Sequence, residues 1–276
     1  MLEYFIVDHF LEYHDKCNTD KETLDLQERD KAKLTEVDWE LAKHFKRSAR
    51  AIALWADRKI EIDEVRRLAD RAGNHSDVTD IRIGNGRSRV LNLSVKNRHK
   101  AVKHQRPASL LQHIGIDKGT DKDRAFRNKL DEIYLEFHRQ IEQIHPRPTT
   151  FKQVEPLKFP CIYNPVCELV STTLAPYGDV HGIPGHYQDF LLSKTDFYKV
   201  IVERDHIEIQ SFVEIPPSRG FTTSFKDNYV YVDFENGIKA DMRLHTASSR
   251  IERNLSLKFD STLSKDVQIP TETLDL

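Results

Sequence analysis

Between Asp80 and Lys96 the chain alternates apolar and polar side chains twice around a glycine-containing break. Asp80-Ile81-Arg82-Ile83 is the first run, Gly84-Asn85-Gly86-Arg87 the break, and Val90-Leu91-Asn92-Leu93-Ser94-Val95-Lys96 the second run. A period of two sends successive side chains to opposite faces of a strand, so the pattern predicts a β-hairpin. Leu91, Leu93 and Val95 then share the core face, and Asn92, Ser94 and Lys96 share the other.

Around this hairpin the texture changes. Residues 1 to about 72 read as helical, with Leu34, Val37, Leu41 and Phe45, then Ala49, Ile52 and Trp55, at helical spacing. Residues 14–33 are polar and poorly periodic, either a loop or an exposed helix, and Gly73-Asn74 breaks the helical pattern. Phe126, Leu130, Ile133, Phe137 and Ile141 form a stripe that predicts a helix over 121–144. The proline cluster from Pro146 to Pro160 reads as a linker, giving a half over 1–150 that is helical and then carries the hairpin, and a β-rich half over 151–276. The second half is either its own domain or an extension of the first. Short helices are expected over 164–175 and 183–192. Strands are expected at 197–202 and 207–212, and at 229–234 and 238–244 around Asn236-Gly237, a two-residue hairpin signal. In the last strand Ile238, Ala240, Met242 and Leu244 point one way, and Lys239, Asp241, Arg243 and His245 the other. Phe197, Tyr198, Tyr229 and Tyr231 read as packing residues. The fold class is α/β, a mixed sheet flanked by helices with a β-rich C-terminal part.

The formal net charge is −2 over 276 residues, so any polyanion must be gripped by a local basic cluster. Lys96, Arg98, His99, Lys100, Lys103, His104 and Arg106 form one. If the segment past the strand is helical, Lys96, Lys100, Lys103 and His104 lie on one side. That arrangement suits phosphate contacts; the alternative is a solvated face paired with acids. Three cysteines, Cys17, Cys161 and Cys167, suit reduced thiols, and their spacing is not that of a zinc site. No stretch approaches the ~20 apolar residues of a membrane span and no signal pattern opens the chain, so a cytoplasmic protein is expected.

Asp80 opens one strand and Ser94-Val95-Lys96 closes the next. This is the layout of the PD-(D/E)xK nuclease core: an acid, a hairpin, then acid-x-lysine on one face. Phosphodiester hydrolysis develops negative charge on the phosphoryl oxygens, which a carboxylate-held magnesium ion neutralises. A lysine two residues along the strand reaches the same face and can orient water or stabilise charge. Here Ser94 stands where the second acid belongs, so another carboxylate must complete the site, and Asp77 and Glu3 are the candidates. The competing reading has Asp77 and Asp80 capping a turn and Lys96 as a solvated strand end.

Five blocks carry a resemblance. Ser94-Val95-Lys96-Asn97-Arg98-His99-Lys100-Ala101-Val102-Lys103-His104-Gln105-Arg106 resembles the S-[IV]-K-H-N-H-x-A-[VL]-K-H-S-R signature of HaeIII-type restriction endonucleases. Ser76-Asp77-Val78-Thr79-Asp80-Ile81 is similar to that family's G-D-V-R-D-I, and Asp196-Phe197-Tyr198-Lys199-Val200 matches its D-F-Y-K-V. Arg243-Leu244-His245-Thr246-Ala247-Ser248-Ser249 and Leu257-Lys258-Phe259-Asp260 are similar to R-I-H-N-A-S-S and L-K-F-D. The resemblance implies a type II restriction enzyme, magnesium-dependent, dimeric, cutting a short symmetric duplex site such as GGCC. It implies Asp77 and Asp80 as metal-side acids, Lys96 as the catalytic lysine, and His99, Lys103, His104 and Arg106 near the scissile phosphate. Arg98 and Lys100 belong to the same DNA-binding run, and Arg243, His245 and Ser248 to a DNA-facing strand and its end. Departures are Asn97, Arg98 and Thr246, two extra residues between Glu252 and Leu257, and an N-terminal helix motif reduced to Glu3-Tyr4. From physics alone, Arg243 either pairs with a guanine edge or forms an ion pair with Asp241 or a neighbour. Two rivals remain: a non-specific repair nuclease of the same core, and a DNA-binding protein with a degenerate, inactive one.

Overall fold

The computed structural model describes residues 1–68, 77–85 and 89–276. Gly73, Asn74, Ser76, Gly86 and Arg87, which carried sequence expectations, lie outside them. In chain order the helices are α1 (Leu2–Tyr13), α2 (Lys21–Lys31), α3 (Trp39–Asp57), α4 (Leu110–His113), α5 (Asp121–Glu142), α6 (Glu155–Lys158), α7 (Asn164–Leu174) and α8 (Ile183–Leu191). The strands are β1 (Glu64–Arg67), β2 (Ile81–Asn85), β3 (Arg89–Asn97), β4 (Lys103–Gln105), β5 (Phe197–Val202), β6 (His206–Phe212), β7 (Phe221–Lys226), β8 (Tyr229–Phe234), β9 (Lys239–Thr246), β10 (Leu257–Leu263) and β11 (Thr271–Asp275).

The chain divides into two compact units that alternate along the sequence: 1–100, 193–215 and 268–276 form the first, and 101–192 and 216–267 the second. The boundary expected near residue 150 falls inside the second unit. The proline cluster taken for a linker is turned into short helical segments, 151–154, α6 and 159–163, with Phe151 and Val154 buried. Proline is tolerated there because it sits in the first turn of these short helices, where its missing N–H breaks no bond.

The first unit is built on a mixed six-stranded sheet, ordered β1-β2-β3-β5-β6-β11. The predicted hairpin is present: β2 and β3 pair antiparallel with Ile81 opposite Leu93 and Ile83 opposite Leu91. Gly84 and Asn85, expected in the turn, extend the ladder opposite Val90 and Arg89. β3 runs parallel to β5, and every other pairing in the sheet is antiparallel. Leu91, Leu93, Val95, Val200 and Val202 join the core that Phe5, Phe10, Phe45, Ile52 and Trp55 of α1 and α3 bring to the sheet. α3 starts where Asp38 accepts from the Glu40 and Leu41 amides, at the N-cap position that short acidic side chains favour.

Residues 64–67, expected as helix, form β1 instead. Glu-Val-Arg-Arg has no strand-like composition, but Val65 is fully buried and its ladder to β2 fixes the segment. Segment 14–33, left open between loop and helix, contains α2, whose N-cap Asp20 accepts from the Thr23 amide.

The second unit holds an antiparallel sheet ordered β4-β10-β9-β8-β7. α5 carries the predicted stripe, with Phe126, Leu130, Phe137 and Ile141 buried. Ile238, Ala240, Met242 and Leu244 point into the core as expected. The β8–β9 connection has three residues, Glu235 to Gly237: Phe234 N–H donates to Ile238 O, the Phe234 carbonyl accepts from Gly237 N–H, and Gly237 takes φ +89°. A left-handed residue ending a three-residue loop is where glycine is required.

Candidate active site

Asp80 stands just ahead of β2, and its backbone is fixed from both sides. Its N–H donates to Leu93 O at 2.8 Å, and its carbonyl accepts from Leu68 N at 2.9 Å. The register continued by one residue places it opposite Ser94. Three donors meet on Asp80 Oδ2: Val95 N at 2.6 Å, Lys96 Nζ at 3.1 Å and Ser94 Oγ at 3.4 Å. The period-two geometry of β3 accounts for this, since Ser94 and Lys96 leave the strand on the same face. Burial pushes the Asp80 carboxyl above its ordinary range; Lys96 opposes that shift, the charge of Glu3 adds to it, and the Val95 amide opposes it.

Glu3 lies on α1; its charge bears on Asp80, and its carboxylate is held by an identifiable partner. Arg67, the last residue of β1, is buried and bridges two acids: Nη2 lies 2.8 Å from Glu3 Oε2, and Nη1 lies 2.7 Å from Asp30 Oδ2. Burial raises the Asp30 carboxyl, but hydrogen bonds from Arg29 and Arg67 outweigh it and hold this acid well below the usual carboxylate range. The Arg67 amide also donates to Thr23 Oγ1, tying β1 to α2.

Asp77 is engaged elsewhere. Its Oδ1 accepts from its own turn, at Thr79 N (2.9 Å), and from Thr195 Oγ1 (3.3 Å), and its Oδ2 lies 3.6 Å from Arg82. Asp77 accepts from its own turn, as in the competing reading, and Asp80 is drawn into the Lys96 cluster.

The basic run past β3 is not helical. Asn97 ends the strand, Arg98 turns with φ 53°, and Lys103–Gln105 form β4, so the expected one-sided row of Lys96, Lys100, Lys103 and His104 does not form. Arg98, His99 and Lys100 belong to the first unit, and Lys103, His104 and Arg106 to the second. Lys103 is buried, its ammonium 5.0 Å from the Phe190 ring centre. His104 points outward from the same strand, and its Nδ1 lies 2.5 Å from Asp260 Oδ1. Arg106 is exposed and donates to Ser256 Oγ at 3.3 Å.

On the second sheet Asp260 sits opposite both His104 of β4 and Arg243 of β9. Arg243 Nη2 lies 3.7 Å from its carboxylate, His245 Nδ1 3.5 Å and Lys258 Nζ 3.8 Å. Arg243 is 52% exposed, so its guanidinium is available to a ligand. Its acidic neighbour is Asp260, not Asp241, whose carboxylate accepts instead from Ser264. Ser248 Oγ accepts from the Arg250 amide in the turn after β9.

The sequence model of the HaeIII restriction endonuclease family matches residues 49–214, more than half of the chain. The chain belongs to this family. Neither curated proteins nor solved structures gave a match. The matched span contains Asp77, Asp80, Ser94, Lys96 and the 98–106 run, while Glu3, Arg243, His245 and Ser248 lie outside it. A HaeIII-family assignment makes the chain a restriction endonuclease, hence a nuclease whose substrate is DNA. Among the described residues no helix is long and apolar enough to cross a membrane.

Restriction endonucleases use divalent metals, and the Asp80 cluster fits one. Its donors are carboxylate oxygens and a hydroxyl, with no thiolate or imidazole, which suits a hard cation and not zinc. Among the described residues no three His, Cys, Asp or Glu side chains gather as a metal cluster, so among them the site draws on Asp80 and a second acid. Magnesium is commonly held that way, by one or two carboxylates with water and phosphate completing its shell. The half-buried Asp80 carboxyl is raised first by desolvation, with Lys96 opposing and the Glu3 charge adding to the shift, and a bound cation would favour its ionised form.

Three residues with a structural claim on these sites had been given no role from sequence. Arg67 was hidden in a stretch read as helix. Lys199 and Asp260 stood inside recognised blocks, and the one local signal was a charged residue in an otherwise apolar strand, Phe-Tyr-Lys-Val-Ile-Val for Lys199.

Proposed function

We propose that this chain is a type II restriction endonuclease with a PD-(D/E)xK-type centre that hydrolyses both strands of a short palindromic duplex, GGCC-like by its family. The observation that carries the reading is Lys96 Nζ 3.1 Å from Asp80 Oδ2, within the matched span, with the Glu3 charge bearing on the same carboxylate. Asp80 and Glu3 are the residues that would hold magnesium, with Asp77 as the remaining sequence candidate. Bound there, the ion would offset the charge that develops on the phosphoryl oxygens. Lys96 orients the attacking water and donates to the scissile phosphate. The Val95 amide fixes the Asp80 carboxylate so that neither group must reorganise during the reaction. Ser94 contributes a hydroxyl where a second acid is common in such centres, and Glu3, anchored by Arg67, compensates for it.

Arg98, His99, Lys100, Lys103, His104 and Arg106 supply the basic run for the DNA backbone, and Arg243 and His245 a base-reading strand with Ser248 in the turn after it. A two-fold target favours a homodimer, each copy cutting one strand. The test is digestion of a plasmid with and without magnesium, followed by run-off sequencing of the ends. Discrete fragments with one shared end sequence support the reading. A smear points to a non-specific nuclease, and retarded but intact DNA to a degenerate core.

Arg243→Ala tests the readout. A guanidinium paired with a guanine edge discriminates by about 1–3 kcal/mol, so the variant should cut cognate and single-mismatch duplexes with ratios compressed about 5- to 150-fold. Unchanged ratios remove Arg243 from recognition.

A further inference from the structure

A lysine stands in the interior of the sheet that carries Asp80 and Lys96. Lys199 lies in β5, opposite Ser94 in the parallel β3–β5 ladder, and is 3% exposed. Partners in such a ladder share a face, so Lys199 lies on the face of Ser94 and Lys96, away from the Leu93, Val95 and Val200 core. Its ammonium donates to the backbone carbonyl of Lys100. Burial with a neutral acceptor is an expensive position for an ammonium, and an apolar side chain would fill the space at less cost. Consistent with that cost, burial lowers the Lys199 proton affinity, and the Lys96 and Lys100 charges lower it further. Glu208 opposes them, leaving a pKa of about 8.

The segment that Lys199 holds is the exit of the strand bearing Lys96. Arg98 donates its N–H to Val202 O at 3.1 Å, adding one rung to the β3–β5 ladder, and then takes φ 53°. An arginine in the left-handed region is held there by its surroundings, since its Cβ disfavours it. Two residues later the Lys100 carbonyl is caught by Lys199. The turn carrying Arg98, His99 and Lys100 is therefore clamped at both ends by β5.

We infer that Lys199 is a positioning residue for DNA cleavage: by tethering the Lys100 carbonyl it fixes the Arg98–Lys100 turn, and with it the end of the strand that presents Lys96. The inference rests on the nuclease reading above. Its test is single-turnover cleavage at saturating DNA, with affinity measured separately without magnesium and thermal melting on the same preparations. Lys199→Met removes tether and charge while keeping volume. It should cut about 10- to 100-fold more slowly, the loss expected when reacting groups are displaced by a fraction of an ångström to an ångström. Its DNA affinity should stay within about threefold, and its melting temperature should be equal or higher, because the buried ammonium is gone. Lys199→Gln keeps an N–H donor and should cut faster than Lys199→Met. Equal rates for the wild type and Lys199→Met overturn the inference. So does a lower melting temperature with a matching loss of binding, which makes the residue structural. So do equal rates for Met and Gln, which put the effect on charge and not on the tether. A wild type that cuts nothing overturns the nuclease reading itself.

Discussion

Lys96→Ala should lower cleavage by about 10²- to 10³-fold, the usual cost of deleting one preorganised donor at a developing charge, with DNA affinity nearly intact. Asp80→Asn should remove cleavage as thoroughly, and it should also stabilise the fold. The Asp80 carboxyl is raised by burial, against Lys96 and with Glu3. A group whose folded pKa lies above its unfolded value favours the folded state at acid pH and loses that contribution as pH rises through the folded pKa. Ionising Asp80 in the folded state is thus disfavoured, a burden that asparagine lifts. The variant should melt higher than the wild type near pH 7, and the gap should close below the ordinary carboxylate range. Melting curves across pH, beside cleavage rates, check both halves. A destabilised Asp80→Asn at pH 7 would contradict the electrostatic account of the site.

Arg67→Ala should have the largest effect on stability. It leaves the buried Asp30 without one of its arginines and releases Glu3, and breaking a buried pair from one side costs about 3–5 kcal/mol. Denaturant unfolding should report that loss. The depressed Asp30 carboxyl contributes stability above its ordinary range, which is lost as pH falls through its folded value. The variant should therefore lose less on acidification than the wild type does. Arg67→Met with Asp30→Leu should recover most of the stability but not the anchoring of Glu3, so cleavage should remain impaired. Full activity in the double variant would separate Glu3 from the metal site.

What sequence could show follows from the range of each interaction. The hairpin of β2 and β3, with Leu91, Leu93 and Val95 inward, was legible because its period is local and its partners are adjacent in the chain. The same holds for the inward row Ile238, Ala240, Met242 and Leu244, and for the proximity of Asp80 and Lys96. β1 was not legible, because the ladder to β2, and not the propensity of Glu-Val-Arg-Arg, decides its state. The helical reading of 96–106 failed because β4 is recruited by β10 across a long sequence separation, opposite Phe259 to Ser261. The partners of Asp77 and Glu3 were not legible either, because Arg82 and Arg67 reach them from other elements. Asp260 was quoted in a recognised block, yet its gathering of His104, Arg243, His245 and Lys258 is set by pairing among three strands.

The position of β5 bears on when a chain of this kind becomes dangerous. This strand lies between β3 and β6 in the sheet, but about a hundred residues of sequence separate it from β3. A ribosome that has delivered Asp80 and Lys96 has delivered half of a ladder whose remaining rungs, including the clamp on the Arg98 turn, are still unmade. Non-local pairing of this kind is slow to close, so competence to cut should arrive late in synthesis.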